Sequence, residues 1–249
     1  MGGVEVSPPH KYPWMVGIRT LWDSKYWCGG AIINDRYVLT AAHCFYSTDG
    51  ILLSTDGMVV GVADHDMTSN EDDVEGATRF VEADVIIHPN YDFISNANDI
   101  ALLKMKENLD LSKYKEVRPV CLPTDSSKSY TGYMGSVYGW GLLSSTGQQP
   151  PVLMETHVSI LDPSCGKGTV AGIDVTPDML CAGHDEGGKD ACRGDSGGPL
   201  SVEEGGTYTQ VGLVSFGVKC SDSKSPGVYT RVSSFLPWIR ENTADAIYC

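Results

Sequence analysis

Short apolar runs separated by turn-forming residues dominate the sequence. Five of these runs are rich in the β-branched and aromatic residues that favour strands: RYVLTA (36–41), RFVEADVII (79–87), DIALLKM (99–105), GSVYGW (135–140) and TQVGLVSF (209–216). Frequent glycines and prolines place turns between them. Only SSFLPWIRENTADAI (233–247) has a helical pattern, with Ser233 or Ser234 available as its N-cap. The pattern predicts an all-β protein, built as barrels, with a C-terminal helix at about 234–246.

The 249 residues suffice for one domain or for two tightly packed halves. Their formal net charge of −14 disfavours binding to nucleic acid or to an anionic membrane, and it favours cationic partners. No apolar run approaches the roughly 20 residues that a bilayer-spanning helix needs. The N-terminal segment also lacks the apolar stretch of a signal peptide. We therefore expect a mature soluble domain that binds neither nucleic acid nor membranes.

Eight cysteines are spread along the chain without a C-x-x-C pair, so the spacing of a zinc site is absent. Scattered cysteines, even in number, in a turn-rich β protein favour disulfides and an oxidising, extracellular compartment. The alternative is an intracellular, glycine-rich β-barrel binding protein that keeps eight free thiols. A thiol titration distinguishes these two interpretations.

The segment DACRGDSGGPL, residues 190–200, surrounds one serine with glycines and carboxylates. A serine hydroxyl is a weak nucleophile at neutral pH and requires an adjacent base that is oriented by a third group. The glycines around Ser196 let a substrate approach the backbone closely and leave N–H groups to stabilise an oxyanion. Taken alone, the segment could also be a glycine-rich turn whose serine faces solvent.

Two further motifs supply the groups that such a serine requires. His43 in LTAAHC is a candidate base, and Asp99 in NDIALL is a candidate for the group that orients it. Each residue also has a purely structural interpretation: His43 could be a packed core histidine, and Asp99 could cap a turn. The three motifs in the order His, Asp, Ser favour nucleophilic catalysis by Ser196.

These motifs resemble the chymotrypsin-like serine proteases along nearly the whole chain. The matching segments follow the family order: PWMVGI, CGGAIINDRYVLTAAHC, DIALLKM, RPVCLP, YGWG, MLCAG, ACRGDSGGPL, VSFG, PGVYTRV and WI. The resemblance implies a single catalytic domain over residues 1–249, built of two packed six-stranded antiparallel β-barrels with a C-terminal helix. The halves would be residues 1–118, with His43 and Asp99, and 119–249, with Ser196.

The resemblance also implies a role for each residue of the site. Ser196 attacks the scissile carbonyl, His43 acts first as base and then as acid, and Asp99 orients the imidazole. The backbone N–H groups of Gly194 and Ser196 form the oxyanion hole. Asp195 is not catalytic and instead pairs with the N-terminal ammonium that cleavage of a proenzyme releases.

Asp190 matches the floor of the primary specificity pocket, where an acidic residue is similar to the trypsin subgroup. A buried carboxylate requires a charged partner, and an arginine or lysine side chain of the substrate supplies one. The resemblance places the other pocket residues at Ala191, Ser215, Phe216, Gly217 and Gly227. Ala191 lacks the hydroxyl that helps relatives bind lysine, so we expect a preference for arginine. Arg193 at the rim would favour acidic residues just after the cleaved bond.

The resemblance implies the disulfides Cys28–Cys44, Cys165–Cys181 and Cys192–Cys220. A further bridge of the family is absent at both ends, where Gly135 and Val202 stand. Cys121 and Cys249 remain. We favour a tether from Cys121 to a pro-segment, because the family's C-terminal helix would carry Cys249 away from it, over a direct Cys121–Cys249 bond.

Residues 64–78 fall at the family's calcium loop, and their acidic members are Asp64, Asp66, Glu71, Asp72, Asp73 and Glu75. Oxygen ligands are plentiful, yet their spacing departs from the family's, and Thr78 stands where a second key glutamate would lie. We expect a solvated acidic loop in preference to a Ca²⁺ site, and no required cofactor.

These features predict a secreted serine endopeptidase acting on protein and peptide substrates after arginine, and less well after lysine. It would be the catalytic part of a larger cascade proenzyme and would bind protein protease inhibitors. The alternative is a zymogen-like or non-catalytic homologue that acts as a binding cofactor. Met1 matches the family's second position, so the leading apolar residue is missing and the chain as written is expected to be zymogen-like.

Overall fold

The computed structural model describes residues 2–144, 147–162, 169–183, 191–217 and 226–248. Most of its regular structure is β. In chain order, strands β1 to β15 are Val4–Glu5, Met15–Thr20, Cys28–Ile32, Tyr37–Thr40, Met58–Val62, Arg79–Ile87, Ala101–Met105, Met134–Gly139, Met154–Ile160, Thr169–Val170, Ile173–Asp174, Met179–Gly183, Pro199–Glu204, Thr207–Phe216 and Gly227–Arg231.

The first barrel closes in the strand order β2-β3-β4-β7-β6-β5, and all of its pairings are antiparallel. Strand β6 illustrates why the sequence forms it. Val81 and Ala83 are buried, whereas Phe80, Glu82 and Asp84 between and beside them are exposed. This alternation matches the two-residue period of a strand, so one face of β6 lines the core and the other meets water.

The second barrel closes in the order β8-β9-β12-β15-β14-β13, with β13 returning to pair with β8. Strand β1 pairs with the first two residues of β9, and β10 with β11 forms a separate two-stranded hairpin. The two six-stranded antiparallel barrels predicted from the resemblance are confirmed.

Large aromatic side chains join the two barrels. Trp140 of the second barrel is 1% exposed, and its indole N–H donates a 3.0 Å hydrogen bond to the carbonyl of His65 in the first. Trp14 of the first barrel donates to the hydroxyl of Tyr138 in the second. Because these buried donors find partners across the junction, the two barrels pack in one defined orientation.

The C-terminal helix differs from its prediction. A 3-10 turn over Val232–Phe235 leads into helix α1, Leu236–Asn242, which is shorter than the expected 234–246. The N-cap position is Phe235, with no capping side chain, so neither Ser233 nor Ser234 has the predicted role. The serines lie within the 3-10 turn that replaces the first turn of the predicted helix. No helix among the described residues is long and apolar enough to cross a membrane.

Candidate active site

His43 lies just after strand β4, at the junction of the barrels. The strand ends at Thr40, and the chain then forms a 3-10 turn over Ala42–Phe45. A disulfide joins Cys44 of this turn to Cys28 at the start of β3, with 6.2 Å between their Cα atoms. The imidazole keeps 22% of its surface exposed. The cross-link therefore fixes the backbone of His43 while its ring stays accessible.

Asp99 is 1% exposed and lies just before strand β7. Its Oδ2 lies 2.7 Å from His43 Nδ1, and its Oδ1 accepts a 2.9 Å hydrogen bond from the His43 backbone N–H. The Ser215 hydroxyl donates to Oδ2 at 2.5 Å, and the Thr230 hydroxyl donates to the Asp99 carbonyl at 2.7 Å. Hydrogen bonds from both barrels thus compensate the burial of this carboxylate.

The pKa values of the pair move apart in the directions that an ion pair requires. Burial alone would lower the pKa of His43, but the charge of Asp99 and its hydrogen bond outweigh burial and raise that pKa above its ordinary value of 6.5. Burial alone would raise the pKa of Asp99, and His43 and Ser215 outweigh it and lower that pKa. Asp99 therefore stays ionised at neutral pH and stabilises a protonated imidazole.

Ser196 lies in the turn before strand β13, which begins at Pro199. The N–H of Gly29 in strand β3 donates a 2.8 Å hydrogen bond to the Ser196 carbonyl. Gly197 has a φ of 73°, and a Cβ there would lie 2.2 Å from Thr40 Oγ1. A glycine after the serine is required because the turn packs directly against the first barrel.

His43 and Ser196 line the same cavity. Among the described contacts no hydrogen bond yet joins the Ser196 hydroxyl to the imidazole, as is common in sites without substrate. The structure therefore brings the three predicted residues of the triad to one junction, although they are far apart in the sequence.

Gly194, one of the two predicted oxyanion donors, has a φ of 96°, a conformation that favours glycine. Its neighbour Asp195 is 8% exposed and accepts hydrogen bonds from the N–H groups of Gly141, at 2.8 Å, and Cys192, at 2.9 Å. Burial raises the pKa of Asp195, and these two donors oppose the rise. A carboxylate buried in this way is stabilised further by a cation.

The N-terminal segment runs close to Asp195. Gly3 and Asp195 both line a small cavity of about 20 Å³. A Cβ on Gly3 would lie 2.6 Å from the Glu155 carbonyl oxygen, so only glycine permits this approach. Met1 lies outside the described residues, and the ion pair between Asp195 and an N-terminal ammonium stays a prediction.

The primary specificity pocket is described in part. Asp190 lies outside the described residues. A Cβ on Gly217 would lie 3.9 Å from the Cα of Gly227, so the two predicted wall glycines face each other closely. Phe216 packs against a small buried cluster that includes Val228, and Ala191 packs against the core of the second barrel. The role of Asp190 as the pocket floor stays a prediction.

The described cysteines are all disulfide-bonded. Cys28–Cys44 confirms one predicted pair. Cys121, Cys181 and Cys192 are also bonded, but Cys165, Cys220 and Cys249 lie outside the described residues, so these pairings stay predictions. Gly135 and Val202 are register partners on β8 and β13, as the paired loss of a bridge requires.

The preferred role of Cys121 as a tether to a pro-segment is contradicted, because its sulfur already forms a disulfide in this chain. The argument for that tether also fails. After α1 the chain turns back, Tyr248 pairs with Asn34, and Tyr248 lines the same cavity as Cys121. The tail therefore returns to the region from which the helix was expected to carry it away.

In the acidic loop, the carboxylates of Asp64, Asp72 and Asp73 lie within 4.8 Å of one another. Asp64 accepts a hydrogen bond from the Tyr26 hydroxyl, and Thr78 donates to the Ala63 carbonyl at 2.7 Å. Asp64 and Thr78 are thus already hydrogen-bonded within the protein. The expectation of a loop without bound calcium stays a prediction.

Two functional contacts were missed from the sequence. The resemblance places Ser215 in the pocket wall, which stays a prediction, and its hydroxyl in addition hydrogen-bonds to Asp99. Thr230, which donates to the Asp99 carbonyl, is not among the predicted site residues. No local pattern marks either residue. Each reaches Asp99 only because strands β14 and β15 of the second barrel pack beside the start of β7.

Comparison with known proteins agrees with this geometry. The sequence profile of the Trypsin family matches residues 1–239. The "Venom protease" of Bombus pensylvanicus is 37% identical over 234 residues, which are 90% of this chain and 91% of that protein. The "Clotting factor G beta subunit" of Tachypleus tridentatus is 34% identical over 253 residues, 97% of this chain and 79% of that protein.

Relatives differ in length. The "Serine proteinase stubble" of Drosophila melanogaster is 36% identical over 241 residues, which are 93% of this chain but 30% of that protein. The family match along nearly the whole chain, together with the two barrels and the His43, Asp99 and Ser196 junction, shows that this chain belongs to the trypsin family of serine proteases.

Proposed function

We propose that this protein is an extracellular serine endopeptidase that cleaves after arginine, and less well after lysine. The observation that carries the proposal is the 2.7 Å contact between His43 Nδ1 and Asp99 Oδ2 in a site that also holds Ser196. Because Nδ1 is engaged by the carboxylate, Nε2 is the nitrogen that accepts a proton.

The reaction begins when Nε2 of His43 takes the proton of the Ser196 hydroxyl as Oγ attacks the substrate carbonyl. The carbonyl oxygen becomes an oxyanion, which the N–H groups of Gly194 and Ser196 stabilise. His43 then gives its proton to the leaving amine, the peptide C–N bond breaks, and an acyl-enzyme ester forms. Water, deprotonated by His43, attacks this ester, and the proton returns to Ser196 as the carboxylic acid leaves.

Arginine specificity rests on Asp190, whose carboxylate would pair with the guanidinium of the substrate. Gly217 and Gly227 have no side chains and Ala191 has a small one, which is compatible with a slot for a long substrate side chain. Without a hydroxyl at Ala191, the ammonium of a substrate lysine loses a hydrogen-bond acceptor, whereas the planar guanidinium of arginine can still donate two hydrogen bonds to the carboxylate of Asp190.

An extracellular setting is supported by the disulfides at Cys28, Cys44, Cys121, Cys181 and Cys192, since such bonds persist in oxidising compartments. Relatives named as a venom protease and as a clotting factor subunit support the same setting and a role in a proteolytic cascade. Protein substrates and protein inhibitors are the partners that this function implies.

The test is a cleavage profile on a peptide library of the activated protein, in which an isoleucine stands before Met1 and is released by cleavage of a pro-segment, with a fluorophosphonate probe to report on Ser196. We expect cleavage after arginine more than after lysine, labelling of the parent, and no labelling of Ser196→Ala. Asp190→Ser should remove the arginine preference while the probe still labels. A parent that the probe does not label would favour the non-catalytic homologue, and equal cleavage after arginine and phenylalanine would exclude the specificity.

A further inference from the structure

The N-terminal segment contacts the second barrel along the start of strand β9, around Glu155. Strand β1 pairs with β9 so that Val4 lies opposite Glu155. Val6 is 1% exposed, and its N–H donates a 2.9 Å hydrogen bond to the Leu153 carbonyl. Gly3 approaches so closely that a Cβ there would lie 2.6 Å from the Glu155 carbonyl oxygen. Backbone contacts therefore seat this segment on β9.

The same segment also binds the Glu155 side chain a few residues later. Lys11 Nζ lies 2.8 Å from each carboxylate oxygen of Glu155, and the Tyr12 hydroxyl donates a hydrogen bond to Oε2. Tyr12 is 2% exposed and stacks on Tyr138 of β8, with 3.8 Å between the ring centroids. The N-terminal segment thus contacts β9 twice, through its backbone at β1 and through the side chains of Lys11 and Tyr12.

Glu155 is 8% exposed, so its charge requires partners within the protein. Burial alone would raise the pKa of Glu155, but the hydrogen bonds from Lys11 and Tyr12 outweigh burial and lower that pKa. Burial and the neighbouring Glu155 raise the pKa of Tyr12, so its hydroxyl keeps its proton. Because hydrogen bonds to an ionised group are stronger than bonds between neutral groups, these contacts resist separation of the segment from β9.

No disulfide can take over the role of these contacts. Cys28 and Cys44 are the only cysteines among the first 120 residues, and they are bonded to each other. No cross-link therefore joins the N-terminal segment to β9. The seating of the segment is an equilibrium, and noncovalent contacts such as those of Glu155 determine its position.

The position of the segment matters for Asp195, because Glu155, Gly3 and Asp195 line the same cavity of about 20 Å³. Asp195 directly precedes the reactive Ser196 in the sequence. Its buried carboxylate is stabilised by a cation, and the predicted cation is the N-terminal ammonium. Contacts that seat the N-terminal segment on β9 therefore bring this ammonium towards the carboxylate beside the reactive serine.

We infer that Glu155 is a positioning residue for the reaction. Together with Lys11 and Tyr12 it holds the N-terminal segment on β9, and it thereby keeps the ammonium of the activated protein in its ion pair with Asp195. The inference rests on the proposed endopeptidase function and on that predicted ion pair. It names the contacts that determine how readily the ion pair forms.

The test is the loss of arginine-ester hydrolysis at high pH, measured on the activated protein, whose free ammonium is on an isoleucine before Met1. An α-amino group has an ordinary pKa of about 7.7–8.0, and seating stabilises its protonated form, so the parent should lose activity with a midpoint above that range. While seating stays favourable, a tenfold weaker equilibrium lowers the midpoint by about one pH unit. Glu155→Gln and Lys11→Met each remove a hydrogen bond to or from a charged group, so each should lower the midpoint by about that amount.

The two substitutions distinguish anchoring from a direct effect of charge on the ammonium. Loss of the Glu155 carboxylate would by itself lower the pKa of a nearby ammonium, whereas loss of the Lys11 cation would raise it. Only a loss of anchoring lowers the midpoint in both variants. The matched control is Lys128→Met, because Lys128 Nζ lies 2.6 and 2.7 Å from the two carboxylate oxygens of Glu204 on β13. Its side chain is 30% exposed, against 31% for Lys11, and this control should keep the parental midpoint.

Hydrogen–deuterium exchange of the peptide around Val6 gives a second readout that does not require activity. Exchange should be faster in Glu155→Gln and Lys11→Met than in the parent and the control, because the Val6 N–H is protected by its bond to β9. This readout also decides the case of a variant whose activity is too low for a pH profile.

A midpoint that falls only in Glu155→Gln, midpoints that equal the parental one, or equal exchange in all four proteins would overturn the inference. Hydrolysis of the arginine ester by the parent would leave the proposed function standing in each of these cases. An activated parent that does not hydrolyse the ester would instead overturn the proposed function, and with it a role of Glu155 in the reaction.

Discussion

The Ser215 hydroxyl donates a 2.5 Å hydrogen bond to Oδ2 of Asp99, the same carboxylate oxygen that lies 2.7 Å from His43 Nδ1. One oxygen thus receives a donor from each barrel. A charge-assisted bond of this kind takes up part of the negative charge of Asp99 and fixes the plane of the carboxylate. Ser215 acts on the reaction through Asp99 and is a positioning residue.

Ser215→Ala should lower kcat by about tenfold, the effect of losing a hydrogen bond to a charged group of about 1.5 kcal/mol. Loss of the donor leaves more negative charge facing the imidazole, so the pKa of His43 should rise further and the pH–rate profile should move to higher pH. Kinetics across pH measure both effects. Ser201→Ala is the control, because that buried serine of the same barrel bonds to Tyr138, at 2.8 Å, and not to Asp99.

The pH dependence of the parent follows from the raised pKa of His43. The base must be neutral to accept the proton of Ser196, so kcat/KM should increase with pH and be half-maximal above the ordinary value of 6.5. In Asp99→Asn the charge disappears while the burial of His43 remains, so the midpoint should fall below that of the parent. A midpoint that does not differ between the two proteins would contradict this account.

The same shifts set the sign of the effect on stability. The pKa of His43 is raised by folding, so the contribution of its protonated form is fully present below pH 6.5 and is lost as pH rises through the raised pKa. The pKa of Asp99 is lowered, so its contribution is present above 3.8 and is lost as pH falls through the lowered pKa. The melting temperatures of the parent and of Asp99→Asn, measured across pH, should differ most between the lowered pKa of Asp99 and the raised pKa of His43.

Arg193 lines the same cavity as His43 and Ser196, and we expect its guanidinium to face the residues that follow the cleaved bond. Peptides with aspartate or glutamate there should be cleaved faster than peptides with lysine, by only a few-fold, since exposed ion pairs contribute about 0–1 kcal/mol. Added salt should reduce the difference. Arg193→Glu should reverse it, and an unchanged preference would show that the guanidinium does not face the substrate.

Cys121 is expected to be cross-linked to Cys249, because Tyr248 lines the same cavity as Cys121 and the sulfur of Cys121 is disulfide-bonded. Peptide mapping by mass spectrometry without reduction should find the two cysteines in one linked pair. Recovery of Cys121 as an alkylated free thiol, or attached to another chain, would be the opposite result. Cys28–Cys44 in the same digest is the internal control.

Much of this protein could be predicted from its sequence alone. Alternation in segments such as 79–87 determines strands, because one face of each must be buried and the other solvated. The glycines around Ser196, and the order of His43, Asp99 and Ser196, indicated the chemistry, because an activated serine requires a base, an orienting acid and backbone free to approach a substrate. Both the alternation of a strand and the residue types around a reactive serine depend on neighbouring residues, so short sequence motifs are enough to predict them.

Contacts between residues that are far apart in the sequence could not be predicted, because they depend on how the barrels close and pack. The donors to Asp99 from Ser215 and Thr230 span 116 and 131 residues of sequence. The tail's return towards Cys121 reversed an expectation that rested on the helix alone. Contacts of this kind are selected by the packing of whole barrels against each other, and no periodicity within one segment carries that information.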